Sequence, residues 1–138
     1  MIGELFINNQ DAYLNWGISM DDTSLSTLMT PAANKQMIEN KSRLEHGKRV
    51  DTSNIKLDER TMTIQINLTA SDKAEFFKRY DSFCKELANG KLDIKTRHQP
   101  DVVYRTIYQS CSQFSQFMYG IAKFSLKLVE YNPANRNL

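Results

Sequence analysis

A chain of 138 residues, 41% apolar and 25% charged, has the size and composition of one folded domain that can bury its own core. Eighteen Lys and Arg against sixteen Asp and Glu leave a formal charge of +2. That near-balance argues against a dedicated nucleic-acid binder, which draws most of its affinity from a basic excess, and no secretory or membrane-spanning apolar run is present, so a cytoplasmic protein without a membrane partner is expected.

In chain order, "ELFIN" and "AYLNWGISM" read as two short β pieces joined by the turn chemistry of "NNQD". "DDTSLSTLMTPAANKQ" reads as a loop with room for a short helical turn, capped at Asp22 or Thr23 and closed off by Pro31. "IENKSRLEHGKRVD", residues 38–51, is the most charged stretch and gathers Glu39, Lys41, Arg43, Glu45, His46, Lys48 and Arg49 around Gly47. Its side chains do not repeat at helical spacing, so it is expected to be an extended, hairpin-like arm over roughly residues 35–55.

The second half is more regular. "TMTIQINL" alternates Met62, Ile64, Ile66 and Leu68 against Thr61, Thr63, Gln65 and Asn67, the pattern of a half-buried strand. "ASDKAEFFKRYDSFCKELANG" predicts a helix over roughly residues 71–88, with Ser71 or Thr69 as cap, Asp72 and Glu75 at its positive end and Gly90 at a left-handed exit. Its stripe of Phe76, Phe77, Tyr80, Phe83, Cys84 and Leu87 is broad enough to pack on a sheet. "KLDIKTR", "DVVYRTIYQSCS" and "GIAKFSLKLVEY" are three further strands, with "QFSQFMYG" a bend or irregular passage between the last two. Cys84 and Cys111 share no metal or redox spacing and are expected to be buried free thiols. Strands, one helix and then strands, without βα alternation, give an α+β class. We expect a single domain over 1–138 with an antiparallel sheet, one packed helix and a long arm.

Three constellations could carry chemistry. His46 with Glu39, Glu45 and Asp51 fits no closed metal site, and the other histidine, His98, is distant in sequence. Asp58, Glu59 and Asp93 with Lys95 loosely mimic a Mg²⁺ nuclease site, though alternation gives Asp93, Lys95 and Arg97 a plain solvent-facing role. Tyr104, Tyr108, Phe114, Phe117, Tyr119 and Phe124, with Arg105, suggest a stacking surface for single-stranded nucleic acid, but lack interleaved basic residues. There is no glycine-rich phosphate loop, GxSxG or HExxH, so no catalytic residue, cofactor or metal ligand is expected.

The order of these parts resembles phage tail structural proteins. "NKSRLEHGKRV", "EFFKRYDSFCKEL" followed by "LDIKTR", "YRTIYQSCSQFSQF" and the "AKFSLKLVEYNP" ending are similar to the N-terminal domain of distal tail proteins and to small prophage tail proteins of Bacteroides-type bacteria. The resemblance implies an antiparallel β-sandwich or barrel-like core with a helix packed on one side, in a virion structural protein that forms a homo-hexameric ring on the tail tube, contacts other tail proteins and lets DNA pass only in transit. It implies that the arm, with Glu39, Lys41, Arg43, Glu45, His46, Lys48 and Arg49, reaches an adjacent subunit. Many distal tail proteins carry a second, carbohydrate-binding-like domain. This chain reaches Leu138 without one, so receptor binding is not expected, and distal tail, tail tube and tail terminator remain open.

Overall fold

The computed structural model describes residues 2–35, 38–40, 46, 49–51, 56–117 and 121–137, with the backbone alone described at 38–40, 49–51 and 112–117. Nine strands and three helices are present among them: β1 (Leu5–Ile7), β2 (Gln10–Asp11), α1 (Ala12–Trp16), β3 (Ile18–Met20), α2 (Asp22–Met29), β4 (Ile38–Asn40), β5 (Arg49–Asp51), β6 (Arg60–Thr69), α3 (Lys73–Ala88), β7 (Lys91–Thr96), β8 (Tyr104–Phe117) and β9 (Ile121–Glu130). Seven strands form one antiparallel sheet in the order β2-β1-β7-β8-β9-β6-β3, and β4 pairs with β5 in a separate two-stranded sheet. The class is α+β, as the sequence pattern implies.

The large sheet cannot be flat. Its two edge strands, β2 and β3, are separated in sequence only by α1 and Gly17. Laid flat, seven strands would hold their edges roughly 28 Å apart, whereas a helix of this length rises only about 7.5 Å. The sheet therefore curls into a half-barrel whose two edges approach each other, and α1 bridges the gap. The caps of α1 explain why five residues suffice. Asp11 accepts hydrogen bonds from the N–H groups of Tyr13 and Leu14, and Gly17 closes the helix at φ +66°. These caps overturn the expectation of a strand at "AYLNWGISM", of which only Ile18–Met20 is extended.

Other local readings hold or shift for equally local reasons. Asn8 and Asn9 both take positive φ (52° and 64°) in a two-residue hairpin loop between β1 and β2, the conformation expected of "NNQD". The segment read as a loop holds the two-turn helix α2, capped by Asp21, whose carboxylate accepts from the Ser24 N–H at 2.9 Å. Helix α3 starts at Lys73 and is capped by Asp72, not Ser71 or Thr69, with the Glu75 N–H donating to Asp72 at 2.7 Å. Gly90 provides the left-handed exit at φ +84°. Strand β8 carries two register irregularities against β9, at Gln109 and Ser112, which is why its sequence does not alternate cleanly.

One core fills the curl. Met62, Ile64, Ile66 and Leu68 of β6 are all buried and lie in register with Leu128, Leu126, Phe124 and Ala122 of β9. Helix α3 carries the chain from β6 past β9 and β8 to β7, and it buries Phe76, Phe83 and Leu87 in the same core. Phe83 meets Phe124 and Trp16 with ring centroids 5.9 Å apart in each case, and the Trp16 indole N–H donates to the Ser82 hydroxyl. Phe77, assigned to the apolar stripe, stands 45% exposed.

Gly17 is the position with least freedom. A Cβ there would collide with the Thr69 carbonyl oxygen and with Arg79 Nη1, on a backbone already at positive φ. Gly17→Ala is expected to cost about 2–3 kcal/mol in urea denaturation. Gly3→Ala, also at positive φ but with open space around it, should cost about 1 kcal/mol.

Candidate assembly surface

The two ends of the charged stretch pair antiparallel: Ile38, Glu39 and Asn40 lie opposite Asp51, Val50 and Arg49. Glu39 and Arg49 lie on these strands and His46 is exposed; Lys41, Arg43, Glu45 and Lys48 fall outside the described residues. The root of the arm is a second antiparallel contact. Asn34 bridges Leu57, the Lys35 N–H donates to the Lys56 carbonyl, and the Asp58 N–H donates to the Ala33 carbonyl, both at 2.8 Å. Beside the root lies a groove of about 490 Å³ whose walls include Leu57 and Tyr131, 40% and 43% exposed, with Lys56, Asp58 and Glu59.

A buried ionic cluster holds the ground beneath this root. Arg60 begins β6 in its inward phase, directly opposite Glu130 at the end of β9, and both are buried. Arg60 Nε donates to Glu130 Oε1 at 3.0 Å, while Nη1 donates to the carbonyls of Thr27, Leu28 and Thr30 at the C-terminal end of α2. Arg60 Nη2 lies 3.0 Å from the same Oε1 without hydrogen-bond alignment, so its contact is ionic only. From the other side Arg136 makes a two-pronged contact, Nε to Oε2 and Nη2 to Oε1, both at 2.8 Å. The Tyr104 ring lies 5.6 Å from one guanidinium and 4.9 Å from the other. Two cations against one carboxylate leave an excess of positive charge, which the negative end of α2 and the aromatic face offset. The Glu130 carboxylate raises the proton affinity of Arg136, with burial opposing it.

Arg136 belongs to a polar C-terminal segment that folds back on β8. Its carbonyl accepts from the Val103 N–H at 2.8 Å, Arg105 donates to the carbonyls of Asn135 and Asn137, and Val102 bridges Asn137. Arm root, α2 end and C-terminal strap therefore meet at one end of the half-barrel.

The alternative constellations do not assemble. Asp58 and Glu59 precede β6, while Asp93 is on β7; register places β9 and β8 between them, about 14 Å of sheet. Lys95 lies over the Phe6 ring and Asp93 faces Lys91 at 3.9 Å. Among the described residues no group of three His, Cys, Asp or Glu side chains could hold a metal ion. Tyr104 and Phe124 are buried in the core and Arg105 is engaged by the strap, so these cannot present a base-stacking face. Tyr119 lies outside the described residues, as do the side chains of Phe114 and Phe117.

Neither cysteine is buried as expected. Cys84 is half-buried on α3, and Cys111 is exposed between the two irregularities of β8. Both act electrostatically on Tyr80 and Tyr108. The hydrogen bond with Cys84, and then its charge, hold the Tyr80 phenol above the ordinary tyrosine value; burial, followed by Cys111, does so for Tyr108.

No protein-family model matches the chain, and no curated protein matches its sequence. Among solved structures, the SPP1 Dit (gp 19.1) protein, described as a paradigm of the hub adsorption apparatus in phages that infect Gram-positive bacteria, superposes with a TM-score of 0.61 over 94% of this chain. What the two chains share is a fold. Identity is 12%, and the match covers 50% of the Dit chain, so this chain spans half its length.

Two measurements follow. Glu130→Ala leaves two buried guanidiniums without their carboxylate and should cost about 3–5 kcal/mol in denaturant unfolding. Because the folded-state pKa values of Tyr80 and Tyr108 are raised, their contribution to stability is present below about pH 10 and is lost as pH rises through the folded values. Phenolate absorbance should show both ionising later than free tyrosine, with stability falling over the same range.

Proposed function

We propose that this protein is a structural subunit of a phage or prophage tail that assembles into a ring, by analogy six-membered, at or near the tail tube or distal tail. The observation that carries this reading is the Dit-like fold over nearly the whole chain. The arm supports it, since a paired hairpin that forms its own sheet, rooted beside a groove with exposed Leu57 and Tyr131, is suited to reaching a second subunit. On this reading the partners are further copies of the chain and other tail proteins, and the protein resides in the virion tail after assembly in the bacterial cytoplasm. A chain of formal charge +2 suits a ring through which DNA passes without being held. Its work is structural, not enzymatic, and the separation of Asp93 from Asp58 and Glu59 argues against the hydrolytic alternative.

Negative-stain imaging and native mass spectrometry at high protein concentration should show closed rings with a central hole. A strict monomer under all conditions, or a Mg²⁺-dependent nuclease turnover abolished by Asp93→Ala, would overturn the reading.

A further inference from the structure

Strand β6 is paired with β9 along its whole length, yet on its other side only Ile66, Asn67 and Leu68 have a partner strand, β3. Two contacts reveal which of the remaining residues turn their backbone groups to that open side. The Thr69 N–H donates to the Gly17 carbonyl at 3.0 Å, so alternate residues from Thr69 downward face this edge. Gln65 obeys the same phase, its N–H and carbonyl both engaged by the Ser24 hydroxyl at 2.7 Å. Thr63 and Thr61 come next in the series. Both are exposed, and among the described residues nothing pairs with their N–H and C=O on that side.

The space beside them is open. A groove of about 430 Å³ lies between this edge and the end of α2, with Thr30, Pro31 and Ala33 on one wall and Glu59, Thr61 and Thr63 on the other. Ser24 closes it at Gln65, and the arm root bounds it at Ala33 and Glu59. The vacant stretch is long enough for a strand of three or four residues.

The same chain carries the complementary deficiency. Strands β4 and β5, three residues each, hydrogen-bond only to one another among the described residues, and an isolated two-stranded ribbon is marginal in water until a third strand joins it. Among the described residues, β4 and β5 make no pairing with this edge of β6 in the same copy, although both spring from the same root. The exposed Glu59 lines the groove, and the stretch 38–51 carries a small basic excess, Lys41, Arg43, Lys48 and Arg49 against Glu39, Glu45 and Asp51.

We propose that the Thr61–Thr63 edge of β6 is the docking site for the β4–β5 hairpin of a second copy, which adds to the sheet as a further strand. The contact is head-to-tail, since donor and acceptor are different surfaces, so each copy that gives its arm keeps an edge for the next. This inference rests on the self-assembly reading and names the surfaces that carry it.

The test uses two full-length variants. Thr63→Pro removes an edge N–H that no internal strand uses, leaving the arm intact; Glu39→Pro combined with Val50→Pro breaks the hairpin and leaves the edge intact. Each variant alone should remain a monomer in native mass spectrometry. Mixed, they should form 1:1 pairs and nothing larger, because only one arm and one edge are competent. In wild-type protein, hydrogen exchange at the Thr61 and Thr63 amides should slow at least about tenfold on assembly, a readout that decides the matter even where a proline variant fails to fold. Assembly of either variant at wild-type size, or edge amides that exchange in the assembly as fast as in the monomer, would sink the docking site while leaving self-assembly standing. A wild-type chain that never assembles removes both.

Discussion

The carboxylate of Glu130 is the point on which the rest of one end of this domain depends. It is fully buried, and its two oxygens tie together β6 through Arg60 and the C-terminal strap through Arg136. Arg60 extends the tie to three carbonyls at the end of α2. A hydrophobic cluster could fill the same volume, often with no loss of stability. What an apolar cluster lacks is direction: each guanidinium accepts one geometry, so α2, β6, β9 and the strap have one relative placement. The arm leaves from residues adjoining this cluster, at Ala33 and Asp58, and takes its aim from it.

This also bears on assembly. A docking element on a loose root loses affinity to the ordering of its own base, and the clamped root removes much of that loss. Closing a ring by heterologous contacts adds a second demand, because a small error in direction at each contact accumulates around the circle. In the proposed ring the buried cluster would meet that demand with rigidity, leaving the charged arm to select its partner.

The sequence displayed most of the fold wherever period decided structure. The strict alternation of β6 and β9 was legible because one face of each is core, and α3 was legible from its stripe and its exit glycine. The extended pairing of residues 38–40 with 49–51 agrees with the absence of helical spacing in that stretch. Where caps decided structure, pattern misled: Asp11 and Gly17 make a helix of "AYLNW", although its β-like composition points the other way. The ionic cluster went unread despite a signal in plain view. Continuing the inward phase of β6 back from Met62 lands on Arg60, and continuing that of β9 past Leu128 lands on Glu130. Two charges of opposite sign at inward positions of neighbouring strands announce a buried pair. Arg136, arriving from an irregular segment, had no such phase to betray it.

The bridging of the sheet edges by α1 has a consequence for how the chain comes to be folded. Strand β1 pairs with β7 and β3 with β6, so Leu5 meets Thr96 and Ile18 meets Leu68. The first of these is among the contacts most distant in sequence among the described residues, and in both the N-terminal member is synthesised before its partner strand. The N-terminal segment has no sheet to join until β6 and β7 have been made, and loop closure over such separations is slow relative to the local β8–β9 hairpin. Synthesis therefore runs opposite to the order in which partners become available, and the opening segment, with its apolar Leu5, Ile7, Trp16 and Ile18, must wait in solution for the half-barrel that it finally closes.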